Sequence, residues 1–218
     1  MSEKNSTLAR RLFLTKVGAG MTVFGASTTA GITEAAAQSA EATRWQPERH
    51  TQDDWFDQIP GKHRLVFDTT EPTGLSSALT YATNYYSASN SGYGLQNGDL
   101  AVVLIARHFS TPYAYNEAMW NKYGVQISDF VQKGKEPSKT NTYGRQITTL
   151  TGRGAHLAVC QLATRAIAGS IARAVNSSAD DIYNELAANL MPNAHLVAAG
   201  IVAVNRAQEH GYSLVHAV

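Results

Sequence analysis

The sequence predicts a three-layer α/β domain: a mostly parallel sheet of about five strands with helices on both faces. Three observations predict it. From His63 onward, short apolar runs alternate with stretches of helical periodicity, the pattern of a parallel sheet joined by crossover helices. The run Leu100–Ala106 is apolar throughout rather than alternating, as expected of a strand covered on both faces. The run Ala155–Val159 leads into the only cysteine, Cys160, and a helical pattern starts at once.

Composition sets the frame. The chain has 218 residues, 44% hydrophobic and 16% charged, which suits a globular core rather than a disordered chain. A net charge of +1 gives no electrostatic basis for nucleic-acid binding. One cysteine cannot form an internal disulfide.

Residues 1–40 read as an export signal. Arg10-Arg11-Leu12-Phe13-Leu14-Thr15-Lys16 resembles the twin-arginine (Tat) signal. An uncharged, mildly apolar segment, Val17 to Ile32, follows, and Ala35-Ala36-Ala37 offers a small-residue cleavage site. The expected location is therefore outside the cytoplasm, in the periplasm, with the Tat machinery as a partner. The signal is either removed or retained as a membrane anchor. Without residues 1–40 the chain carries 14 Lys+Arg and 15 Asp+Glu, close to neutrality.

Residues 41–62 form a polar N-terminal extension with Trp45, Trp55 and Phe56, aromatics suited to pinning a surface segment. The α/β domain spans 63–218. Its first strand is His63–Asp68, followed by a turn-rich segment to Gly74. Leu75, Ala78, Leu79, Ala82 and Tyr86 then share one helix face, and Gly92 and Gly94 close that helix. The second strand ends at Arg107-His108. A helix is expected over Tyr113–Tyr123. From about 131 to 154 the pattern dissolves into a long polar loop, Lys-rich over 133–139, which would be a lid, a subunit contact or a solvated surface loop. After Cys160 comes a helix of small residues. Ser178 caps the next helix ahead of Asp180 and Asp181, with Ile182, Leu186 and Leu190 as its stripe. His195–Ala199 is a fourth strand, a helix starts near Ile201, and Tyr212–His216 is the last strand.

Together these residues resemble the DsrE/DsrF-like (YchN-like) family. The resemblance lies in Leu65-Val66-Phe67-Asp68, Leu100–Ala106, Leu157-Ala158-Val159-Cys160, Leu190–Gly200 and Ala203–Tyr212, and covers nearly all of residues 63–218. Arg107–Pro112, Ala118–Tyr123 and Asn205–Gly211 are similar to an exported branch bearing Tat signals. The resemblance implies a DsrE-like fold, a homo-oligomer (a trimer or a hexamer of stacked trimers) and a sulfur-relay cysteine carrying a persulfide at the position of Cys160. Its partner would be a small sulfur species or another protein. The long loop and the export signal depart from the relay proteins.

In parallel α/β sheets, ligands gather at the carboxyl ends of the strands. Asp68, His108 and Cys160 all end strands there. Cys160 and His108 are the candidate catalytic pair, a thiolate with a nearby base, and Asp68, Arg107 and Arg165 are the candidate binding residues. A helix N-terminus just after Cys160 would stabilise a thiolate through its free N–H groups. His156, His195 and His210 read as structural, and Arg206 with Glu209 as an ion pair. The chain has no phosphate-cradling glycine fingerprint, no nucleophile-elbow serine, and no His-x-x-x-His or Cys-x-x-Cys spacing. No cofactor and no metal site is expected, although His108 with Cys160 leaves a metal-binding protein as a third reading. The second is a noncatalytic oligomeric binding or assembly subunit.

Overall fold

A computed structural model describes residues 45–131 and 136–218. The export-signal reading of residues 1–40 lies outside the described residues. Arg49–Val218 forms one compact unit.

Five strands form one all-parallel sheet: β1 (His63–Thr69), β2 (Leu100–Ala106), β3 (His156–Cys160), β4 (Ala194–Val197) and β5 (Ser213–Ala217), in the order β4-β3-β2-β1-β5. Helices cover both faces, which makes the three-layer α/β sandwich. The central strand β2 shows why. Leu100, Val102, Leu104 and Ala106 face one core, while Ala101, Val103 and Ile105 face the other. Alternate residues of a strand point to opposite faces, so only a continuously apolar run can serve two cores.

The thick layer is built from α2 (Pro72–Tyr93), α3 (Glu117–Val131), α4 (Gly144–Thr151), α5 (Gln161–Val175) and α6 (Ala179–Ala188), whose buried residues join one apolar cluster. The thin layer comes from α1 (Trp55–Gln58) and α7 (Gly200–Glu209), through Phe56, Ala203, Val204 and Ala207. Within the N-terminal extension it is Phe56 that packs down, fully buried, with its carbonyl accepting from the Tyr212 hydroxyl at 2.8 Å, whereas Trp45 is 72% exposed. Gly94 ends α2 in the left-handed conformation (φ 68°), as a helix C-cap requires. The side chain of Ser178 caps α6. Among the described residues, no helix is long and apolar enough to cross a membrane.

Three expectations need correction. The segment 131–154 is not one continuous polar loop. Helix α3 runs to Val131, and α4 buries Ile147, Leu150 and Thr151 in the main core. Ahead of α4 the chain is anchored at Asn141, whose side chain donates to the carbonyls of Tyr113 and Tyr115 at 2.8 and 3.0 Å. The helix expected over Tyr113–Tyr123 starts instead at Glu117, after a 3-10 helix over His108–Ala114 that contains Pro112. Proline lacks the N–H that a regular helix interior needs. The fourth strand stops at Val197, and Ala199 already caps α7.

The histidines expected to be structural have defined surroundings. His156 Nδ1 and His195 Nε2 are 2.9 Å apart, and Trp55 stacks on the His195 ring with centroids 4.0 Å apart. Burial lowers the pKa of His156. Burial, followed by the charge of His156, lowers that of His195 to about 4. His210 caps the end of α7, with Nδ1 2.9 Å from an Asp57 oxygen. Arg206 pairs with Glu209 and, at 2.9 Å, with Asp53.

Candidate functional site

Four adjacent strands deliver one polar side chain each to the carboxyl edge of the sheet. In spatial order they are Cys160 at the end of β3, Arg107 just after β2, Asp68 near the end of β1 and His216 near the end of β5. Asp68 and His216 are register partners across β1 and β5.

Cys160 is both the last residue of β3 and the N-cap of α5. Its Sγ accepts a hydrogen bond from the Ala163 N–H at 3.4 Å, the capping role usually filled by an oxygen. Its carbonyl accepts from the Thr164 hydroxyl at 2.9 Å, and Thr164 in turn accepts from the Tyr115 hydroxyl. The thiol is thus fixed in orientation. It is 7% exposed and lies on the wall of a cavity of about 410 Å³. That volume lies within the range of small-molecule sites.

Arg107 and His108 line the same cavity, which is otherwise walled by Leu162, Ala163 and Ala166 of α5 and by the start of α7. Arg107 is held by a two-pronged ion pair. Its Nε donates to Asp68 Oδ1 at 2.7 Å and its Nη2 to Oδ2 at 2.8 Å. The parallel geometry fixes the guanidinium plane. His216 Nδ1 lies 2.9 Å from the same Oδ2. Asp68 is 4% exposed. Burial alone would disfavour its charge, but the hydrogen bonds and charges of Arg107 and His216 outweigh that and hold its carboxyl below the usual value. The Arg107 pKa is raised, first by its hydrogen bonds to Asp68, against burial, and then by the charges of Asp68 and Cys160.

The backbone here is clamped too. The Ser110 hydroxyl donates toward the Thr69 and Arg107 carbonyls and accepts from the Arg107 N–H, locking the ends of β1 and β2 together. His108 follows with φ 52°, a left-handed conformation that costs a non-glycine residue about 1–3 kcal/mol. This places an exposed imidazole on the cavity rim. The aliphatic stem of Arg107 packs on Gly200, the first residue of α7.

The structure therefore brings Cys160, Arg107 and His108 to one cavity, with Asp68 behind Arg107 rather than on the wall. Arg165 does not join them. Its guanidinium carbon sits 3.9 Å over the Tyr183 ring and its Nη1 lies 3.6 Å from Asp180, both on α6. Helix rotation of about 100° per residue separates it from Ala166, which does reach the cavity. Sequence reasoning missed His216, Gly200 and Ser110. A strand-end position marks His216, but only the strand order puts it beside Asp68. Among the described residues, no group of three or more His, Cys, Asp or Glu side chains could hold a metal ion. No family model matches the chain and no curated protein matches it, so the site rests on its own geometry.

Proposed function

We propose that this protein is an exported, DsrE-like homo-oligomer that binds or relays sulfur through Cys160. The observation that carries the reading is the position of Cys160: a helix N-cap on a cavity wall shared with an arginine and a histidine. A thiolate is the nucleophile in sulfur exchange, and a nearby cation and a helix N-terminus favour it. The reaction that fits is sulfane-sulfur exchange. The Cys160 thiolate attacks the outer sulfur of a hydropersulfide R–S–SH. A new S–S bond forms, the old one breaks, and R–S⁻ leaves with the electron pair. An acceptor thiolate then attacks the outer sulfur of the Cys160 persulfide and restores the thiolate. There is no net oxidation, and no metal or cofactor takes part. Export through the Tat pathway to the periplasm and assembly as a trimer or hexamer belong to the same proposal.

The test is to expose the native protein to cysteine hydropersulfide, alkylate it and locate the adduct by mass spectrometry. An adduct heavier by one sulfur atom on Cys160 is expected. A thiol that stays unreactive until the protein is denatured would sink the reading.

A second reading is a noncatalytic binding or assembly subunit. It is favoured by apolar side chains left in solvent beside the cavity: Leu162 is 64% exposed and Ile201 60%. It predicts that Cys160→Ser leaves assembly unchanged.

A further inference from the structure

We infer that the cavity at Cys160 takes a small thiol or hydropersulfide that carries a carboxylate, with Arg107 and the start of α7 receiving the carboxylate. This rests on the reading of Cys160 as the sulfur carrier and names the class of its substrate. Asp68 occupies Nε and Nη2 of Arg107, leaving Nη1 as the guanidinium nitrogen with no protein partner among the described residues. The guanidinium cannot swing away to find one, because Asp68 holds the head and Gly200 the stem. The second donor group comes from α7. Its N-cap, Ala199, offers no side-chain acceptor, so the first N–H groups of this ten-residue helix are left without a cap. Ala199, Gly200 and Ile201 lie on the cavity wall, on which there is no carboxylate. A cation and an uncapped helix start thus meet in a small chamber that the Cys160 sulfur also lines. An anionic group suits that combination. Apart from His108 at the rim, the remaining walls, Leu162, Ala163 and Ala166, are apolar and fit a short hydrocarbon spacer.

The experiment compares two reagents of nearly equal size, iodoacetate and iodoacetamide, on Cys160 of the full chain, with free cysteine as the reference. The expected result is a ratio of iodoacetate to iodoacetamide rates at least about tenfold above that of free cysteine, with saturation by iodoacetate alone. 3-Mercaptopropionate protects Cys160 at lower concentration than its methyl ester does. Arg107→Gln returns the ratio to that of free cysteine, and because the wild-type ratio needs no variant, the test stands even if that variant fails to fold. Equal ratios for Cys160 and free cysteine, with both reagents reacting, overturn the carboxylate inference and leave the sulfur reading intact. If neither reagent reacts with the native protein, the sulfur reading falls and the inference with it.

Discussion

Gly200 and Arg107 pack so closely that a β-carbon on Gly200 would lie 2.4 Å from the Arg107 Cβ and 2.8 Å from its Cδ. The start of α7 can therefore approach the end of β2 only with glycine at this position. Gly200→Ala forces either the helix or the arginine to shift. The expected cost is about 1–3 kcal/mol, the range for overpacking, read from the urea midpoint. The same variant also loses the discrimination between iodoacetate and iodoacetamide, because either shift moves Arg107 and the start of α7 apart. An unchanged midpoint would show that the contact is slack.

Asp68→Asn removes the counter-charge from a mostly buried guanidinium. The expected destabilisation is about 3 kcal/mol at neutral pH, as for other buried pairs that lose one partner. The pH dependence has a definite sign. The folded-state pKa of Asp68 is lowered from its ordinary 3.8. Its stabilising contribution is therefore fully present above that value and is lost as pH falls through the folded-state value. Acid denaturation of the wild type should show this loss, and Asp68→Asn should show a shallower one.

His156 and His195 make a second pH-dependent contribution, in a higher window. Both have folded pKa values below the ordinary 6.5, with that of His195 at about 4. The unfolded chain thus takes up protons first as pH falls, and the folded state loses stability between about 6.5 and 4. Thermal melts at pH 7.5, 6 and 5 should show the decline, and His195→Gln should flatten it. A wild-type melting temperature constant across that range would contradict the paired, buried state of these rings.

The exposed apolar side chains beside the cavity make a prediction about assembly. Ile201→Lys leaves a side chain already 60% exposed in solvent, so the fold of a single chain is unaffected. If these residues meet a second copy, light scattering coupled to gel filtration will show a smaller particle for the variant than for the wild type. Identical masses would remove this patch from any subunit contact.

Much of this architecture was legible in local pattern. The unbroken apolar run of β2 announced a strand buried on both faces, and the alternation of elements announced parallel pairing. Asp68, Arg107, His108 and Cys160 were legible because each lies at or just past the carboxyl end of a strand. What was missed depends on non-local placement. His216 comes last in the chain but lies beside the first strand, a neighbour relationship that no local spacing encodes. Gly200 falls between a strand and a helix in the sequence pattern, and its role is to admit the stem of an arginine 93 positions earlier. Helix α4 escaped notice because Arg145, Gln146, Thr148 and Thr149 surround its narrow buried stripe. Arg165 was misplaced for the converse reason: proximity to Cys160 in sequence outweighed its position around the helix.

Sulfane-sulfur loading of Cys160 is tested most directly with cyanide. After loading with a hydropersulfide and removal of excess donor, cyanide should release thiocyanate from the wild-type protein, approaching one per chain. Cys160→Ser, folded to the same melting temperature, should release none. Equal thiocyanate from the two proteins, or none from either, would contradict the account.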